Sequence, residues 1–137
     1  MSLDDVKKQF VEQVKLRAYD DKYVDVGEEK EILQIAISQN ISIDSARGAL
    51  RAVCENNGYV LESVLDEKAK DMLDTFASND GVVDKKEFDD TVMTVKKAAN
   101  GKISESKIKK KVKKIILDNE WNVKEGMFKG GSWFSDI

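Results

Sequence analysis

Three acidic residues, Asp80, Asp84 and Glu87, lie close together in "SNDGVVDKKEF", residues 78–88. An EF-hand loop sets oxygen ligands at positions 1, 3, 5, 7, 9 and 12 around a glycine at 6, because calcium needs six to eight oxygens. With Gly81 as the sixth position, Asp80 stands at the fifth, Asp84 at the ninth and Glu87 at the twelfth. Ser78 at the third is a weak ligand, and Phe76 at the first cannot coordinate. These residues are the metal candidates of the chain, for a weakly held divalent cation such as calcium. The competing reading is a capped helix start with no cofactor.

A second constellation is cationic. "KIKKKVKK" contains Lys107, Lys109, Lys110, Lys111, Lys113 and Lys114, and Lys96 to Lys114 holds nine lysines against the single acid Glu105. That local +8 leaves −11 for the rest of a chain whose net charge is −3. Ile108, Val112, Ile115 and Ile116 form a helical stripe between the lysines, so the ammonium groups fan over an outer face. Such a face is either simply solvated or a basic patch for nucleic acid or anionic lipid, with no arginine or aromatic residue interleaved to read bases. The third constellation is aromatic: Trp121, Phe128, Trp133 and Phe134 crowd the last residues around Gly130 and Gly131. They form either a flap over the core or a surface for a protein partner, and so dense an aromatic cluster favours the flap.

Some chemistry is excluded by composition. With no histidine the chain cannot build a Ser-His-Asp or Cys-His nucleophile or a histidine-ligated zinc site. Its single cysteine, Cys54, cannot form an intrachain disulfide, and it shares an apolar stripe with Ala46, Leu50 and Val53. An enzyme is therefore not expected. No run of residues is long and apolar enough to span a membrane, and "MSLDDVKKQF" is unlike a signal peptide, so the expected setting is cytoplasmic.

The elements that must position these residues are helices. A mean hydropathy of −0.48 with 41% apolar residues is an ordinary globular composition, and the absence of proline leaves helices uninterrupted. Apolar residues recur at helical spacing in six segments, marked by Val6, Phe10 and Val14; Ile32, Leu33, Ala36 and Ile37; Ala46, Leu50 and Val53; Leu65, Ala69, Leu73 and Phe76; Phe88, Val92 and Val95; and Ile108, Val112 and Ile116. The expected fold is all-α, a compact bundle of about six short helices in a single domain, 1–137, with 119–137 a less regular aromatic tail packed on the core.

Between the helices a five-residue phrase recurs: "DKYVD" at Asp21, "NISID" at Asn40, "NGYVL" at Asn57, "DGVVD" at Asp80, "NGKIS" at Asn100 and, more faintly, "EWNVK" at Glu120. The steps of 17 to 23 residues leave room for one helix between turns. Asn-Gly or Asp-Gly ends a helix at positive φ, and the final Asp or Ser caps the next by accepting from its first amide groups. In the Asp80 phrase, Asp84 and Glu87 would make a capping box, with Val83 folding onto Phe88; in the Asn100 phrase, Ser104 would cap.

"MLDTFASNDGVVDKKEFDDTV" resembles the tellurite-resistance TerB-like helical family, through Ala77, Asp80, Gly81, Val83 and Glu87, over about residues 72–116. The resemblance implies a helical stress-response domain that uses acidic residues toward metal ions, works with protein partners and has no catalytic residues. "NISIDSARGALRAVCENNGYVLESVL" is similar to part of a ubiquitin-associated-type helical fold, without that family's binding turn where "SQNIS" stands. A generic α-hairpin with small residues at its crossing accounts for the same pattern.

Overall fold

The structure, a computed structural model, describes residues 2–124 and 133–137. Six helices run through the described residues: α1 (Leu3–Arg17), α2 (Val26–Ile37), α3 (Ile43–Asn57), α4 (Glu62–Ala77), α5 (Lys85–Ala99) and α6 (Glu105–Asp118). The all-α expectation holds. What the helical periodicity did not signal is four strands of two or three residues, β1 (Tyr23–Val24), β2 (Val60–Leu61), β3 (Val82–Asp84) and β4 (Asn122–Lys124). A strand this short has no alternation to read, since period-two patterning needs four residues or more. The chain divides into two compact units, Met1–Ser63 and Val64–Ile137.

In unit 1, α1 packs on α2 and α3, and α2 packs on α3. Val6, Phe10 and Val14 of α1, Ile32, Leu33 and Ala36 of α2, and Ala46, Leu50 and Cys54 of α3 are buried. The small Ala46 and Ala49 on α3 suit a close helix approach. The turn before α2 and the turn after α3 lie side by side: β1 and β2 pair in parallel, Tyr23 opposite Val60 and Val24 opposite Leu61. Ile37, which the periodicity places on the α2 stripe, is exposed.

Unit 2 repeats this order of helices and strands. The rest of α4 buries Leu65, Ala69, Leu73 and Ala77, α5 packs on α6, and β3 pairs in parallel with β4, Val83 opposite Val123. The correspondence extends residue by residue. The buried positions Val6, Phe10, Val14 and Ala18 become Leu65, Ala69, Leu73 and Ala77, each displaced by 59 residues (6 to 65). The N-cap Asp25, boxed with Glu28, becomes Asp84, boxed with Glu87. The N-cap Ser42 becomes Ser104, displaced by 62 (42 to 104), because α5 has 15 residues where α2 has 12. Even single hydrogen bonds recur. The Tyr23 N–H donates to Asp21 Oδ1 at 3.1 Å and the Val82 N–H to Asp80 Oδ1 at 3.0 Å. Asn57 Nδ2 donates to the Val53 carbonyl and Asn119 Nδ2 to the Ile115 carbonyl.

The six phrases are therefore not six equivalent turns with a step near 20. Four of them carry strands, and the phrases at Asn40 and Asn100 are plain helix-to-helix connections inside each copy. At the first of these the cap is Ser42 rather than Asp44, because α3 already begins at Ile43 and Asp44 falls in its first turn. At the second, Ser104 caps α6 as its sequence implies.

The repeat also exposes one position where the two copies differ in backbone cost. Gly81 takes φ +68, and its counterpart Lys22 takes φ +52 with a side chain attached. A residue with a Cβ is held there against about 1 kcal/mol of left-handed strain. Gly81→Ala is expected to lower the unfolding free energy by about 1 kcal/mol, whereas Lys22→Gly leaves it unchanged or raises it by up to about 1 kcal/mol. Urea unfolding of the two variants checks the contrast.

Candidate functional site

The acidic triad is assembled by the β3–α5 turn, and its oxygens serve that turn. Asp80 Oδ1 accepts from the Val82 N–H, Asp84 Oδ1 accepts from the Glu87 N–H at 2.8 Å, and Glu87 Oε1 accepts from the Asp84 N–H at 3.1 Å. Among the described residues no three of Asp, Glu, Cys or His gather as a group able to hold a metal ion. Val83 and Phe88 flank the cap and are both buried.

One buried acid escaped the sequence reading. Glu29 sits in the acidic run "DDKYVDVGEEKE", whose acids suit a turn and a helix start, yet it is 6% exposed and accepts from Ser63 Oγ at 3.1 Å. The available signal is its place three and four residues before Ile32 and Leu33, on the same helical stripe. Glu62 nearby accepts from the Val26 N–H at 2.8 Å, supplying a carboxylate to the start of α2. Unit 2 closes the corresponding place differently. There Glu29 is replaced by Phe88, whose ring lies 5.1 Å from Trp133 and 6.2 Å from Phe134, centroid to centroid.

Trp133 and Phe134 thus form a flap on unit 2, with Phe134 buried. Trp121 is half-buried, and Phe128 lies outside the described residues. The Lys113 ammonium fastens the flap, donating to the backbone oxygens of Phe134 at 3.1 Å and Ile137 at 3.2 Å and sitting 5.1 Å from the Phe134 ring centroid.

The six lysines of α6 consequently separate into two sets. Lys111 reaches Asp66 at 3.0 Å with its side chain mostly covered, Lys113 holds the flap, and Lys114 pairs with Asp118 at 2.7 Å. Lys107, Lys109 and Lys110 have no ion-pair partner among the described residues; Lys107 and Lys110 are exposed and Lys109 half-buried. Lys97 and Lys102, just before α6, are likewise uncompensated. Beside these lysines a half-open cleft of about 370 Å³ lies between the first turns of α6 and the flap. Compared with protein-family models, curated proteins and solved structures, the chain matches none.

Cys54 is buried on α3 at 2% exposure. Burial first, and the Glu29 carboxylate second, push its thiol up to about 12 from an ordinary 9.0. The neutral thiol is favoured by folding, so this contribution is intact below pH 9 and is lost as pH rises toward 12. Cys54→Ala is expected to flatten the alkaline fall in stability between pH 8 and 11 by up to about 3 kcal/mol, measured by denaturant unfolding over that range. At neutral pH the native thiol should react with a thiol reagent only as fast as the protein opens. For the flap, Phe134→Ala should cost about 3 kcal/mol and lower the thermal midpoint; an unchanged midpoint would remove the structural role given to the tail.

Proposed function

We propose that the chain is a non-enzymatic interaction or sensing module that meets an anionic partner through the outer face of α6. The reading rests on the separation of the lysines. Three are spent inside unit 2, while Lys107, Lys109 and Lys110, with Lys97 and Lys102, keep their charge for something outside it. Five uncompensated cations within 14 residues (97 to 110) make a surface that attracts polyanions through counterion release rather than base reading. A nucleic acid backbone and an acidic membrane surface both fit that chemistry. No helix among the described residues is long and apolar enough to cross a membrane, so a lipid encounter would be peripheral. A cytoplasmic stress-response role with protein partners, as in TerB-like proteins, belongs to the same proposal and is supported by the resemblance over residues 72–116.

Heparin, duplex DNA and anionic vesicles separate the partners. At about 0.15 M salt the chain should be retained by one or more of them, and Lys107→Glu with Lys110→Glu should abolish retention. Lys114→Glu, which removes an already paired lysine, should change it little. Equal retention of the Lys107/Lys110 variant overturns the proposal.

A further inference from the structure

The five uncompensated cations collect at one end of the α5–α6 hairpin. Lys97 lies in the last turn of α5, Lys102 in the connection, and Lys107, Lys109 and Lys110 in the first two turns of α6. The two helices pack on each other, and the chain reverses between them through Asn100 and Gly101, both at positive φ. Glu105, the one acid between Lys96 and Lys110, lies 3.9 Å from Lys96 across the turn. Lys107 and Lys110, three residues apart and both exposed, share the outer face of α6, and Lys109 stands on its flank.

The side chains around those cations decide which polyanion fits. Besides lysines, the exposed residues from 97 to 110 are Asn100, Gly101, Ser104, Glu105 and Ser106, with no large apolar side chain among them. A helix that lies on a bilayer turns a large apolar face to the acyl chains. The apolar stripe of α6, Ile108, Val112 and Ile116, is already buried in the core. Single strands are gripped by aromatic platforms on which bases stack. No aromatic residue stands between 89 and 120, and Trp133, which borders Lys109 and Lys110, has its ring packed against Phe88 at 5.1 Å and Phe134 at 5.6 Å.

What the hairpin end offers is ammonium and hydroxyl groups, which contact backbone phosphates and carry no base readout. A duplex presents phosphates most densely, one charge per about 1.7 Å of axis. Its major groove, about 12 Å wide, admits a helix about 10–12 Å across, so that cations on both flanks meet both strands. We propose that the end of the α5–α6 hairpin binds the sugar–phosphate backbone of duplex nucleic acid without sequence preference. The inference rests on the anionic-partner reading above and selects one partner within it.

The test is fluorescence anisotropy of the full chain with two labelled DNA duplexes of unrelated sequence and a thymidine single strand of equal length, beside co-sedimentation with phosphatidylserine vesicles. The two duplexes should bind alike, and at least about tenfold more tightly than the single strand or the vesicles. The logarithm of duplex affinity should fall against the logarithm of salt concentration with a slope of about −4.5, because five phosphate contacts each release about 0.9 counterion. Lys102→Gln should reduce the slope by about 0.9, and Lys107→Gln with Lys110→Gln by about 1.8. Lys114→Gln, which removes a lysine already paired with Asp118, should leave it unchanged, with circular dichroism confirming the helices of each variant. Single strand or vesicles bound as tightly as duplex, a duplex preference for one sequence, or a slope that ignores Lys102, Lys107 and Lys110 overturns this inference and leaves the broader anionic-partner reading standing. Failure of every probe, heparin included, overturns both.

Discussion

Each helix start in this protein presents up to four amide N–H groups that no helical carbonyl can reach, and a chain that changes direction so often meets that cost repeatedly. Ser2, Asp25, Ser42, Asp84 and Ser104 each accept from a first-turn N–H, and three of them are locked by a reciprocal box. The remaining helix, α4, follows β2 without such a cap, entering from a strand already paired with β1. Caps and strand pairs thus divide the work of satisfying backbone groups, and the helices can be short because their ends are held. The same requirement fixes what the acidic turn residues do. A carboxylate that accepts from its own backbone has fewer lone pairs and less freedom to wrap a cation.

The two units meet this constraint with different side chains. At the place where unit 1 keeps Glu29 hydrogen-bonded to Ser63, unit 2 has Phe88 under Trp133 and Phe134. Core volume is redistributed in parallel: Phe10 in unit 1 corresponds to Ala69 in unit 2, while Ala46 and Cys54 correspond to Ile108 and Ile116. Cores tolerate such exchanges when total volume and patterning are kept. The consequence lies on the surface. Closing unit 2 with an aromatic flap requires Lys113 as its fastener, and the flap in turn forms one wall of the cleft beside α6.

The capping signals were legible in the sequence because they are local. Asp84 with Glu87, and Ser104, could be named as caps from residue type and a three-residue spacing, and the helical stripes from their period. The repeat of about 60 residues was hidden by its own turns, since the phrases at Asn40 and Asn100 resemble those that carry strands. Its equivalent core positions also hold residues as different as Phe10 and Ala69. Burial of Glu29 was obscured by five neighbouring acids that are exposed or half-exposed.

The sequence by itself determined the helices, most of their caps, the removal of Cys54 from solvent and the concentration of positive charge near residue 110. All of these depend on residues within one or two turns of each other. Only the tertiary structure decided which turns pair as strands, that the fold is built from two copies, and which lysines remain uncompensated. Those outcomes depend on partners far along the chain: Asp66 for Lys111, Phe134 for Lys113, and Asn122 for Val82. Charge density can be counted along a sequence, but whether a charge is spent or available depends on what folding brings within about 4 Å of it.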